Sequence, residues 1–214
     1  MTDPDGYGSH VDAETAAATG WFEPLYADAG HGRAVVPWDA GGPSPYLTEW
    51  ARAAGLDGKG APALVVGCGL GDDAAYVAGL GFSVTAFDIS PTAVEQARER
   101  FPDSAVRFEV ADLFDLPAAW RQAYDLVIEI FTVQALPIAL RPRVTGAIAS
   151  TVAPGGTLLV VQRTRPEGAT VDGGPPYPVS RSELDLFLAD GLRLEQLEQL
   201  PDDRGGRWRA EFRR

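Results

Sequence analysis

Residues 63–81 read ALVVGCGLGDDAAYVAGLG. A short apolar run, Ala63 to Val66, meets three glycines at alternate positions: Gly67, Gly69 and Gly71. Two aspartates follow, then small residues of helical character. Strand, glycine turn and helix in this order open a βαβ unit, and such glycines let the backbone approach a ligand closely. The turn alone is compatible with a dinucleotide, a phosphate or a ligand lacking phosphate. The dinucleotide fingerprint is Gly-x-Gly-x-x-Gly/Ala. Counted from Gly67, it places Asp72 where the third small residue belongs. Asp72 and Asp73 would set negative charge against a pyrophosphate, and no Gly-Lys-Ser/Thr follows to form a phosphate loop. The turn offers close approach without anion chemistry.

Outward from this stretch, strand-like and helix-like segments alternate. SPYLTEWARAAG (44–55) reads as a helix, with Ser44 as N-cap, Pro45 in the first turn and Gly55 as its stop. FSVTAFD (82–88), AVRFEVAD (105–112), YDLVIEI (124–130) and TLLVVQR (157–163) read as strands. SPTAVEQARERF (90–101) reads as a helix, as does 137–156, where Pro142 implies a break or a late start. A Pro/Gly loop covers 164–179. Ser180 and Glu183 then form a capping-box pattern for a helix ending at Gly191. LRLEQLEQL (192–200) and RWRAEFR (207–213) alternate apolar and polar positions around PDDRGG, as half-exposed strands do. The expected fold is α/β: a doubly wound, mostly parallel sheet with helices on both faces and a C-terminal antiparallel hairpin.

The chain divides into a flexible tail (1–20, with His10 inside it), an aromatic, Pro/Gly-rich irregular cover (21–43) and the α/β domain (44–214). The N-terminus has acids and no apolar segment of the secretory kind. No apolar run reaches the roughly 18 residues of a membrane helix, so a soluble cytoplasmic protein is expected. One cysteine excludes disulfide frameworks and paired-cysteine zinc sites, and no metal is expected. The net charge of −12 argues against a nucleic-acid partner, because such binding draws on Lys and Arg neutralising phosphates.

Acids recur at the ends of strands two, three and four: Asp88, Asp112 and Glu129. An acid some 20 residues after the glycine turn is placed to accept from ribose hydroxyls. One after the third strand can accept from an adenine amino group. Glu129, inside an apolar run, is costly unless paired or wet, which favours a pocket role. The plainer readings are strand-end capping and packing. Together with a turn that rejects phosphate, these acids point to a nucleoside with a cationic or zwitterionic tail, as in S-adenosylmethionine, whose amino and sulfonium groups suit nearby carboxylates.

These features resemble class I S-adenosylmethionine-dependent methyltransferases over roughly residues 44–214, whose sheet has seven strands with the last two forming a reversed hairpin. VVGCGLGDDA (65–74) is similar to the glycine loop of the thiopurine, thiol and halide methyltransferases. There an apolar residue (here Val65) often replaces the usual acid before the loop, and an acid (here Asp73) follows the third glycine. VPWDAGGPSPYL (36–47) resembles that group's Pro-Trp-Asp segment, whose tryptophan lies over the cofactor. DGGPPYPVSRSEL (172–184) resembles its Gly-Pro-Pro-Tyr loop. The sequence departs at IFTVQAL (130–136), where Thr132, Val133 and Gln134 stand in place of larger rings. From the strand-end acids and the resemblance together, cofactor contacts are expected from Trp38, Gly67, Cys68, Gly69, Gly71, Asp73, Asp88, Ile89, Ala111, Asp112, Leu113 and Glu129. Acceptor contacts would come from Trp21, Phe22, Tyr26, Gln134, Pro176 and Tyr177.

Methyl transfer from a sulfonium needs alignment and exclusion of water more than acid–base help. A base is required only for a hydroxyl or amine acceptor, and Tyr26 and His31 are the candidates. His31, in a glycine-flanked loop, reads equally as an idle surface residue, and Cys68 as a packing residue. The expected function is methylation of a small molecule, favouring a thiol or other soft nucleophile, by a monomer or weak homodimer. The alternatives are O- or N-methylation of a small metabolite or natural-product intermediate, and a module that binds S-adenosylmethionine without turnover.

Overall fold

The computed structural model describes residues 13–202 and 205–214; His10 lies outside the described residues. The run at 62–66 becomes a central strand because both of its faces are covered. It is β1 (Pro62–Val66), and it pairs in parallel with β2 (Ser83–Asp88) on one side and β4 (Tyr124–Ile130) on the other. With β3 (Arg107–Val110), β5 (Val152–Arg163), β6 (Arg193–Leu200) and β7 (Arg207–Arg213), the sheet order is β3-β2-β1-β4-β5-β7-β6. β7 runs antiparallel to both neighbours, giving the expected seven strands and reversed hairpin. The strand order reverses between β1 and β4, and ligands bind beyond the carboxyl ends of strands at such a switch point.

Alternation along the strands sends side chains to two cores. Leu64, Val66, Phe87, Val127, Leu158 and Val160 face one side, under Val144 and Ile148 of α7 (Arg141–Thr151). Ala63, Val65, Ala86, Ile128, Leu159 and Val161 face the other. There they meet α3 (Pro45–Ala53), α4 (Asp72–Gly79) and α5 (Pro91–Arg100) through Leu47, Trp50, Ala74, Val77, Val94 and Ala97. Ser90 caps α5 by accepting from the Ala93 N–H, with Pro91 in the first turn.

The structure differs from the sequence reading in several places. Residues 13–19 are not a loose tail: α1 (Ala13–Thr19) buries Thr15 and Ala18. The cover is not wholly irregular, since α2 (Phe22–Gly30) occupies its first third, with Pro24 tolerated in the opening turn. Ser44 precedes α3 but its hydroxyl makes no cap; its backbone N–H donates to Asp73 instead. In 137–156, the short α6 (Thr132–Ala135) lies just upstream, and α7 starts late, with Pro142 in its first turn. β5 begins at Val152 and runs through both glycines, with its register against β4 shifting there. The 180–191 helix is α-helical only over α8 (Arg181–Leu184) and tightens to 3₁₀ over Asp185–Gly191. Leu184 and Phe187, three apart and both buried, suit that tighter winding. The Ser180 N–H donates to Glu183 at 2.7 Å, as the capping-box pattern requires. Among the described residues, no helix is long and apolar enough to cross a membrane.

Candidate active site

The glycine turn is built so that a side chain would obstruct it. Gly67, Gly69 and Gly71 have φ of +57°, +51° and +90°, which L side chains rarely adopt. A Cβ on Gly67 would meet Thr132 Oγ1 at 2.5 Å. One on Gly69 would meet the Tyr26 hydroxyl at 2.9 Å, and one on Gly71 the Phe108 ring at 2.9 Å. The Cys68 N–H donates to the Phe87 carbonyl, tying the turn to the end of β2. Asp88 completes the tie: its Oδ2 accepts from the Gly69 N–H and its Oδ1 from the Ser90 N–H, each at 3.0 Å. Burial pushes the Asp88 carboxyl above its ordinary range, opposed by hydrogen bonds from the Ser90, Gly69 and Ile89 N–H groups.

Beyond the ends of β1 to β4 lies a cavity of about 670 Å³, counted out to its open mouth. Its floor comes from the strand ends: Val66 and Gly67; Phe87, Asp88 and Ile89; Ala111, Asp112, Leu113 and Phe114; Ile130, Phe131 and Thr132, then Ala135 and Leu136. Its cover comes from the N-terminal segment: Thr19, Phe22, Tyr26 and Trp38. The cover is internally braced. Trp38 Nε1 donates to the Tyr26 hydroxyl at 2.8 Å, and Trp21, Phe22 and Tyr26 each lie about 6 Å, ring to ring, from Trp38. It is also clasped to the domain. Glu23 of α2 accepts from the Ser90 and Thr92 hydroxyls at 2.5 Å and from the Thr92 N–H, at the start of α5. Partial burial would raise the Glu23 pKa, but these bonds hold it below the usual value.

Residues 63–156 match the family model of a methyltransferase domain. A probable thiol methyltransferase of Arabidopsis thaliana is 32% identical over 159 residues, covering 72% of this chain and 67% of its own. The chain belongs to the class I S-adenosylmethionine-dependent methyltransferases. Thiocyanate methyltransferase 1 of Brassica oleracea is 28% identical to it over 212 residues, with 92% and 87% of the two chains covered. A structure solved in work on the conversion of a disulfide bond into a thioacetal group during echinomycin biosynthesis superposes with a TM-score of 0.72. It is 25% identical, over 90% of this chain and 92% of that one. This methyltransferase is an enzyme whose methyl donor is S-adenosyl-L-methionine.

Several of the expected site residues do not line this cavity. Asp73 faces α3, taking the Ser44 N–H at 2.7 Å; burial, partly offset by that bond, raises its pKa to about 6. Glu129 is wholly buried and does not line the cavity. It accepts from the Thr132 and Val133 N–H groups, starting α6, and from Gln162 Nε2, so backbone donors meet the cost that favoured a pocket role. Burial pushes its pKa up to about 7, against those same donors. Gln134 is also inward: its Oε1 accepts from the Arg163 N–H and its carbonyl from the Tyr177 N–H. Pro176 lines a separate, more open cleft along 164–178, and Tyr177 lines neither cavity nor cleft. Trp21 packs behind Phe22, its rings 4.0 Å apart. Cys68 is buried, which raises its thiol well above the ordinary range, and it does not line the cavity. His31 is exposed, with Nδ1 on the Ala27 carbonyl at 2.6 Å, and takes no part in the cavity.

Sequence reasoning missed Thr19, Phe87, Phe114, Phe131 and Leu136 as walls of the cavity. Phe131 carried a signal, as the ring directly after a buried strand at the switch point. Its backbone is unusual: φ +67° and ψ 2°, the left-handed region, which costs a bulky residue about 1–3 kcal/mol.

Proposed function

We propose that this methyltransferase methylates a soft, anion-forming nucleophile, a thiol or a thiocyanate-like ion, on a small molecule, in a chamber that supplies no base. The observation that carries this reading is the polar inventory of the cavity walls. Asp88 is engaged by two backbone N–H groups, and Asp112 Oδ1 takes the Phe114 N–H at 2.8 Å. The Thr19 and Thr132 hydroxyls donate to the carbonyls of Thr15 and Val66. Tyr26 is 1% exposed, and burial and Asp88 push its phenol far above its ordinary pKa. What remains of the walls is apolar. A hydroxyl or amine acceptor would need proton removal here, whereas a thiol is partly ionised near neutrality. The named activities of the two plant relatives, on thiols and on thiocyanate, support the same class. The net charge of −12 supports a partner other than nucleic acid.

The residues fit the donor. When bound, S-adenosylmethionine supplies a methyl group on an activated sulfonium. In our reading Gly67 and Gly69 give the backbone room beside it, and the remaining lone pairs of Asp88 take the ribose hydroxyls. Asp112, through its second oxygen, takes the adenine amino group. Trp38 and Phe22 place aromatic faces at the covered end, where cation–π attraction is on the order of 1–2 kcal/mol once water is excluded. Tyr26 is part of that cover and not a base.

Labelled donor with a panel of thiophenol, ethanethiol, thiocyanate, iodide, phenols and amines tests the acceptor class. Sulfur acceptors are expected to lead the others in kcat/KM by tenfold or more. With no enzyme base, the thiol rate should rise with pH through the thiol's own pKa, while the thiocyanate rate stays flat by comparison. Preference for phenols or amines overturns the reading.

A further inference from the structure

Of the three phenyl rings in the floor of the cavity, Phe87, Phe114 and Phe131, the last two each carry a guanidinium over them. Arg143 over Phe114 is exposed and screened by water. Arg207 over Phe131 is different, being 5% exposed with its guanidinium carbon 5.6 Å from the ring centroid. It opens β7 and is fixed from two sides. Nη2 pairs with Asp202 at 3.1 Å, and Nη1 donates to the Gly206 carbonyl at 2.8 Å. Asp202 is itself held by the Tyr46 hydroxyl at 2.8 Å. Arg207 does not line the cavity, whereas Phe131 does.

The backbone at Phe131 does not call for a phenyl group. Glycine or asparagine takes this left-handed conformation more cheaply. Its N–H donates to the Val161 carbonyl, a bond any residue but proline would keep. The start of α6 is supported by Glu129. What the ring adds is packing at the rim of the second core and a wall of the cavity.

We propose that Phe131 sets the acceptor preference of this methyltransferase and that Arg207 is its positioning residue, the pair selecting a nucleophile carried on an electron-rich flat ring. The proposal rests on the sulfur-acceptor reading above. The guanidinium draws on the π density of the ring, which leaves the ring a poorer partner for a further cation and a better one for an electron-rich ring such as an arenethiolate. The clamp also holds the ring at one angle, so a flat acceptor that stacks on it loses little freedom in aligning its sulfur.

The test uses the full chain with thiophenol and ethanethiol as paired acceptors. Phe131→Asn, which suits the backbone, should lower kcat/KM for thiophenol at least tenfold, mainly through KM, and change that for ethanethiol less than threefold. Donor affinity by titration should stay within twofold and the melting temperature within a few degrees. Arg207→Met should raise KM for thiophenol three- to fivefold with kcat and the ethanethiol constants unchanged. If that variant does not fold, Arg207→Lys, which keeps charge but loses the planar fork, should raise it about twofold. Equal losses on both thiols, or no loss on thiophenol in Phe131→Asn, overturn the proposal. If the wild type methylates oxygen or nitrogen acceptors instead, the sulfur reading falls. The same ratio is then read on an aromatic and an aliphatic acceptor of that element.

Discussion

At the residue scale, Asp88 does two jobs with one carboxylate: it anchors Gly69 and Ser90 and faces the cavity. An amide presents one acceptor and one donor, so it cannot hold both N–H groups. Asp88→Asn should therefore weaken donor binding at least tenfold by calorimetric titration, in line with about 1.5–3 kcal/mol for a hydrogen bond to a charged group. Unchanged affinity would remove Asp88 from the site. Tyr26→Phe should lower kcat less than tenfold and His31→Ala should leave it unaltered; a loss of hundreds-fold in either would restore a base. The place of Asp88 at the cavity was legible in the sequence because an acid that ends the strand after a glycine turn falls at the switch point of the sheet. Glu129 was misread because its partners are the backbone N–H groups of Thr132 and Val133, which no side-chain pattern announces.

At the element scale, α2 is the working part of the cover. Its Phe22 and Tyr26 face the cavity and its Glu23 grips the start of α5. Ser90 links that grip to Asp88, so the cover and the glycine turn share one chain of hydrogen bonds. Glu23→Gln should raise KM for donor and acceptor several-fold and lower the melting temperature only a few degrees. Removal of residues 1–40 should cost more in turnover than in folding, measured by labelled-methyl transfer beside circular dichroism; loss of the whole fold would make the segment core. α3 and α5 were readable from the Ser-Pro pairs at their starts, although only Ser90 caps with its side chain. α2 was hidden, because Pro24 and closely spaced aromatics blur its period and the partner of Glu23 lies 67 residues away. The 3₁₀ turn after α8 was equally hidden, since a capping box sets where a helix starts and not how it winds.

At the scale of the whole molecule, strand–helix alternation gave away the sheet and its edge hairpin, because covered and half-covered strands carry different hydrophobic periods. The charge balance has a consequence for stability. Burial raises Glu129 to about 7 and Asp73 to about 6, from 4.5 and 3.8. Both hold protons more tightly folded than unfolded, so their contribution is complete below the unfolded values and is lost as pH rises through 6 and 7. Glu23 and Glu183 are shifted the other way, so their contribution fades only below about 4.5. The urea midpoint of dilute protein should therefore rise between pH 8 and pH 5.5, and Glu129→Gln should flatten that slope. A slope unchanged in the variant would assign the effect to other groups.

The position of β7 bears on how the chain is made. The last strand in chain order lies inside the sheet, between β5 and β6. Until residues 207–213 have left the ribosome, the edge of β5 that β7 covers in the folded sheet stands open, carrying the apolar run Leu158 to Val161. Open apolar edges recruit other strands. A stalled or truncated chain is thus an aggregation hazard even though the strands that floor the cavity are complete, and the Arg207 that grips Phe131 arrives only with the strand that closes that edge.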